Sequence, residues 1–159
     1  MKTAIVYFSQ MGNTRYVAEK MSAILSADLI PLVPQKAYPD SKAKLIFWGG
    51  KSAVFGEKPR LEPYDFDAAA YDLVVFGSPV WAGTFAPALR TFLADNRAAL
   101  QGKPMATFFC CSGGPGKVLE KFKAFYGAEP QRELVLIDPL DKPSAENEEK
   151  IRAFCAAIL

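Results

Sequence analysis

Short apolar runs and helical patterns alternate five times along this chain, and that alternation limits its fold more than any other feature. Residues 2–8 read as a strand. Residues 13–26 read as a helix, with Val17, Met21, Ile24 and Leu25 at i, i+4, i+7 and i+8. A second apolar run covers 29–33; Pro31 within it cannot donate to a ladder, which places this strand at a sheet edge. Leu73, Val74, Val75 and Phe76 are apolar without interruption, as a parallel strand covered on both faces must be. A helix starts near Phe85 or Ala86, with Pro87 in its first turn. Next come a strand over 105–111 and a helix with Val118, Phe122, Phe125 and Tyr126 on one face. A strand over 134–137 follows, then a helix from about Ser144 that buries Ile151, Phe154, Cys155 and Ile158. The pattern specifies an α/β fold, a doubly wound five-stranded parallel sheet between two helix layers. Right-handed crossovers leave few strand orders. Ligands in such folds sit beyond the carboxyl ends of the strands, where the winding reverses.

Composition removes several function classes. The chain has 159 residues and is 50% hydrophobic, enough for one domain over 1–159 with a substantial core. It contains no histidine, which excludes Ser–His–Asp and Cys–His triads and His-ligated metals. Cys110, Cys111 and Cys155 are odd in number and form no CxxC pair, against a disulfide framework or a zinc site. A net charge of +2 carries no nucleic-acid signal. No apolar run approaches the ~20 residues that span a bilayer, and the N-terminal apolar run is too short for a leader. A cytoplasmic protein without membrane insertion is expected. One long connection, about 34–71, interrupts the alternation; such stretches are often functional. A short helix is expected within it at 41–48. Lys36, Lys42, Lys44, Lys51, Lys58 and Arg60 outnumber its acids Asp40 and Glu57 between 36 and 60.

Three loops follow strands one, three and four and would lie together. The first is Ser9, Gln10, Met11, Gly12, Asn13 and Thr14. A tight turn into a helix start presents backbone N–H groups without partners at the positive end of the helix dipole. Gly12 lets the chain bend, while the Ser9 and Thr14 hydroxyls and the Asn13 amide add donors. A phosphate monoester suits such a loop; a helix cap with no ligand has the same signature. The second loop is Ser78, Pro79, Val80, Trp81, Ala82, Gly83 and Thr84. Trp81 stands at its tip as a stacking surface or, alternatively, as a half-buried anchor. The third is Ser112, Gly113, Gly114, Pro115 and Gly116, which can lay backbone groups along a polar ring edge. Together the three describe a mononucleotide with a flat ring. Cys110 and Cys111 point to opposite faces of a buried strand and read as core.

In these three loops the chain resembles the flavodoxin family, and the resemblance extends over nearly its whole length. Flavodoxin is itself a standard example of the 2-1-3-4-5 strand order with FMN at the switch point. The resemblance implies FMN, with Ser9, Gly12, Asn13 and Thr14 around its phosphate and Met11 offering only a backbone N–H. It implies a stacking role for Trp81, with Ser112, Gly113, Gly114 and Gly116 along the ring edge. Two departures stand out. The third loop has no aromatic residue, so one flavin face is open or is covered by Trp48 or Tyr38 from the insert. The chain is slightly basic where flavodoxins are strongly acidic. The resemblance implies an electron carrier served by a redox partner protein or an NAD(P)H-dependent reductase. The alternative is an NAD(P)H-dependent FMN or quinone reductase on the same fold. A response-regulator-like domain would need acids where Ser9, Gly77 and Ser78 stand. The second and third loops contain no acid, and Lys117 is the next charge. The second flavin reduction is therefore expected to be easier than in an acidic flavodoxin.

Overall fold

The computed structural model describes residues 1–159. The strands are β1 (Thr3–Tyr7), β2 (Asp28–Pro31), β3 (Leu73–Trp81), β4 (Thr84–Phe85), β5 (Met105–Cys111) and β6 (Glu133–Ile137). The helices are α1 (Asn13–Leu25), α2 (Lys42–Val54), α3 (Pro87–Asp95), α4 (Arg97–Leu100), α5 (Val118–Tyr126) and α6 (Ala145–Ile158). The sheet order is β2-β1-β3-β5-β6, with all four of these pairings parallel. This is the expected 2-1-3-4-5 order once the two-residue β4, antiparallel to the end of β3, is set aside. β2 lies at the edge, as Pro31 requires.

Strand side chains alternate between two separate cores, as the two-residue period demands. Ala4, Val6, Val74, Phe76 and Phe109 pack with Leu89, Phe92 and Phe122 of α3 and α5. Ile5, Val75, Phe108 and Cys110 pack with Val17 and Met21 of α1 and with Ile151, Phe154 and Cys155 of α6. At Gly77 the alternation has a gap that the neighbouring strand fills. Gly77 pairs with Phe108, whose ring lies 2.2 Å from where a Gly77 Cβ would stand.

The long insert is a closed excursion. Gln35 N donates to the Arg60 carbonyl and Glu62 N to the Val33 carbonyl, so its two legs run side by side. The returning leg lays Tyr64 and Phe66 against Phe92. At the far end, α2 rests on the carboxyl end of β3: Gly49 stands 3.1 Å, measured from an ideal Cβ, from the Trp81 ring. α2 is longer than the expected 41–48 segment, because Gly49 and Gly50 continue the helix instead of ending it.

Candidate functional site

The first loop ends on Gly12, in the left-handed region at φ 100, immediately before α1. The backbone N–H groups of Gln10, Met11, Gly12, Asn13 and Thr14 donate to no protein atom. Consecutive free N–H groups at a helix start form an anion-binding nest. The side chains contribute less than expected. Asn13 Nδ2 donates to Asp141 Oδ2 at 3.1 Å, and Asn13 Oδ1 accepts from Leu140 N at 2.9 Å. Its amide therefore clamps the loop after β6, which occupies its oxygen and one of its two N–H donors. Thr14 is buried, with its hydroxyl beside the Cys110 thiol. Ser9 Oγ accepts from Arg15 N at 3.1 Å, which leaves its O–H free to donate.

The second loop is largely strand. β3 continues through Trp81, and Ala82 and Gly83 make a two-residue hairpin into β4. Both have positive φ, 50 and 72, the type I′ geometry that suits the strand twist. Ala82 is held in the left-handed region without a glycine's freedom, at the site itself. Trp81 is therefore not a loop tip. It is half-buried and edge-on to Phe8 at 5.4 Å and Tyr38 at 5.0 Å. Ser78 is fully buried; its Oγ donates to the Pro79 carbonyl and accepts from Ala86 N, both at 2.8 Å.

The third loop touches the second. A Cβ on Gly116, at φ 53, would stand 2.8 Å from Gly83 Cα, so only glycines permit this approach. Ser112 lies beside Asp138, a nearly buried carboxylate at φ 42 just after β6. Asp138 also pairs with Lys142 at 3.1 Å, and its N–H donates to the Cys111 carbonyl. Ser112 and Lys142 hold the Asp138 carboxyl below the usual carboxylate range. The surroundings of the third loop are thus not free of acid: the carboxylate comes from the next strand, out of view of the loop's own sequence.

These segments enclose a cavity of about 390 Å³. Ser9, Gln10, Met11, Asn13 and Thr14 line it, as do Pro79, Val80, Trp81, Ala82, Gly83, Ser112, Gly113 and Gly114. Gly12, Ser78, Thr84 and Gly116 do not. Gly12 faces Leu140, Ser78 and Thr84 are buried within β3 and β4, and Gly116 is the contact with Gly83. Lys42, Leu45, Ile46 and Gly50 of α2 complete the wall with Cys110 and Cys111. The sequence signal for α2 was the charge imbalance and length of the insert, which pointed to the segment but not to these residues. Burial pushes the Cys110 thiol up to about 12, so it is a neutral wall. Trp48 and Tyr38 do not line the cavity. Tyr38 packs on the Trp81 edge, and Trp48 is more than half exposed. Lys42 is the one cation and there is no carboxylate among the lining residues; Lys117 is not one of them.

The sequence family described as Flavodoxin matches residues 2–134. The chain belongs to the flavodoxin family. Among solved structures it is similar to a flavoprotein from Lactobacillus acidophilus crystallised in complex with FMN. The two are 25% identical over 84% of this chain and 92% of that one, with a TM-score of 0.74. The fold is also that of the two-electron reduced flavodoxin of Megasphaera elsdenii. That likeness has 17% identity, covers 98% of this chain and 99% of that one, and has a TM-score of 0.62. A flavodoxin, WrbA-like protein of Agrobacterium tumefaciens shares it at 19% identity, 99% and 94% coverage and a TM-score of 0.58. No curated protein matches the sequence. No helix is long and apolar enough to cross a membrane. Within the flavodoxin frame the cavity lies beyond the carboxyl ends of β1, β3 and β5, at the switch point.

Proposed function

We propose that the chain binds FMN non-covalently and carries single electrons between redox partners. The observation that carries this reading is the row of unpartnered N–H groups from Gln10 to Thr14, opening into a cavity walled by Trp81. The donor set fits the cofactor. A dianionic phosphate takes backbone N–H groups and the Ser9 hydroxyl, with no acid among the lining residues. A flat ring takes the Trp81 face and the bare backbone of Ser112, Gly113 and Gly114. When bound, the flavin supplies the redox chemistry. The chain's own residues anchor it, orient it and keep water from one side. Phe8 and Tyr38 hold the Trp81 ring through edge contacts. The Gly83–Gly116 contact sets the gap between the two ring-side loops. No general acid or base is needed for electron transfer, in keeping with a chain that has no histidine.

A second reading, an NAD(P)H-dependent FMN or quinone reductase, is favoured by one observation: no second aromatic residue lines the cavity opposite Trp81. A nicotinamide or quinone would have a face to stack on. Steady-state assays of the FMN-loaded protein with NADH and NADPH decide between the two. The carrier reading predicts no sustained oxidation, with fast electron exchange once the flavin is chemically reduced. Sustained turnover with a quinone or free FMN would replace it with the reductase reading.

A further inference from the structure

The helix α2 has an outer side of which the cofactor cavity uses only Ile46 among the apolar residues. Leu45, Gly49, Ser52 and Ala53 turn inward. The outer side is no less apolar: Ile46, Phe47, Trp48 and Val54 are 74%, 64%, 52% and 65% exposed, and Phe55 at the helix end is 71% exposed. Single exposed apolar side chains are ordinary, but five within one helix and its cap form a patch of the kind that marks an interaction site.

The cations around this patch are not held in ion pairs, although Lys42 lies near enough to the Asp138 carboxylate to help hold its pKa down. Lys42, Lys44 and Lys51 form no ion pair, whereas eight pairs engage cations elsewhere in the molecule. No acid occurs between Lys42 and Val54. Arg90 of α3 closes the far end of the helix. Its guanidinium is 3.9 Å from where a Gly56 Cβ would stand, and it lies over the Phe85 and Phe125 rings at 4.5 and 4.9 Å. It too has no carboxylate partner, and its Nε is buried without a hydrogen bond. A cation kept half-buried and unpaired is costly unless a partner brings the opposite charge.

Exposed aromatic residues, unpaired cations around them and an arginine set on aromatic rings are the composition of a protein-docking face. We propose that the outer face of α2, with Arg90 at its C-terminal end, docks an acidic redox protein that exchanges electrons with the bound flavin. The proposal rests on the FMN-carrier reading above. The position suits the task, because Ile46 and Gly50 of the same helix line the cavity, so a protein seated on α2 lies at its mouth. The sign of the charge selects the occupant. A second copy of this chain would bring the same unpaired cations into the interface, which costs free energy. A partner with carboxylates around an apolar centre satisfies the lysines, the Arg90 fork and the aromatic patch together.

The test uses the FMN-loaded protein and a chemically reduced, acidic plant-type ferredoxin as electron donor, mixed by stopped flow at low and high salt. Lys44→Glu with Lys51→Glu should lower the second-order rate constant roughly tenfold or more at low salt, with the difference fading at high salt. Phe47→Ser with Val54→Ser, and separately Arg90→Gln, should raise the ferredoxin concentration needed for half-maximal rate several-fold. The FMN affinity of all three variants should match the parent, as checked by titration. Rates that ignore salt and all three variants, or no reaction with ferredoxin, overturn the proposal while the carrier reading stands. A dimer in sedimentation that Phe47→Ser with Val54→Ser dissolves would make a second copy the occupant and overturn it too. So would binding to phosphatidylglycerol-containing vesicles that the same variant abolishes. Failure of the parent to take up FMN would overturn both readings at once.

Discussion

Replacing Trp81 by alanine should produce two separable losses. The first is packing. The ring is half-buried and in edge contact with Phe8 and Tyr38 at 5.4 and 5.0 Å, and Gly49 is closed against its Cε3. Truncating a fully buried Trp costs about 3–5 kcal/mol. Half-burial reduces this to roughly 2 kcal/mol, part of it from aromatic pairs worth about 0.5–1.5 kcal/mol each. For a chain of this size that lowers the melting temperature by about 4–8 °C. The second loss is stacking. An aromatic platform under a flat ring is worth about 1–3 kcal/mol, so FMN should bind about 5- to 150-fold more weakly. Trp81→Phe separates the two, keeping most of the stacking surface while losing part of the packing. The assays are thermal melting of the cofactor-free proteins and FMN titration by flavin fluorescence well below the melting range. If Trp81→Ala melts lower as expected yet binds FMN like the parent, the ring is only an anchor for α2 and the stacking argument is wrong.

Three further outcomes follow from the same geometry. Gly77→Ala should destabilise the protein by about 1–3 kcal/mol or more in urea unfolding, because its Cβ would enter the Phe108 ring 2.2 Å away; an unchanged midpoint would contradict the packing described for β3. Asp138, held below the usual carboxylate range, stabilises the fold fully above the unfolded-chain value of about 3.9, and that contribution is lost as pH falls through the lower folded value. Urea midpoints from pH 6 down to 3 should therefore fall more steeply for the parent than for Asp138→Asn, and parallel curves would remove Asp138 as a charged pin. Lys42→Gln, which removes the one cation among the cavity-lining residues, should make the second flavin reduction harder by roughly tens of millivolts at low salt and less at high salt. A spectroelectrochemical titration in which the couple does not move would show that backbone contacts set the potential.

The alternation of parallel strands and helices was legible because each strand is an apolar run followed by a polar turn and an amphipathic helix, a pattern that local residues carry; the strand order itself followed from the resemblance to flavodoxins. The edge position of β2 could likewise be read from Pro31 alone. Where the reading fell short, glycines were doing tertiary work. Gly77, Ser78 and Pro79 look like a turn, so the strand was expected to end at Phe76. Gly77 is instead the place where Phe108 needs room, and β3 runs on to Trp81. Gly49 and Gly50 look like a helix stop, yet Gly49 is the flat spot on which Trp81 rests. The three loops were found from their own composition. The residues that complete the cavity were not, because α2 reaches it across more than thirty positions of sequence, counting from Lys42 to Trp81. Asn13 shows the same limit at closer range: nothing near it in sequence announces that Asp141 and Leu140 occupy its amide.

The proposed cofactor site stands or falls with the Gln10–Thr14 backbone as the holder of a phosphate. Titration of the cofactor-free protein with FMN and with riboflavin, under one buffer and salt condition, tests it directly. The two ligands share the ring and differ in the phosphate. Losing two charge-assisted hydrogen bonds, at about 1.5–3 kcal/mol each, should weaken riboflavin by a factor of about 10²–10⁴. Equal affinities would contradict the account, leaving the free N–H groups of the first loop as an uncapped helix start and nothing more.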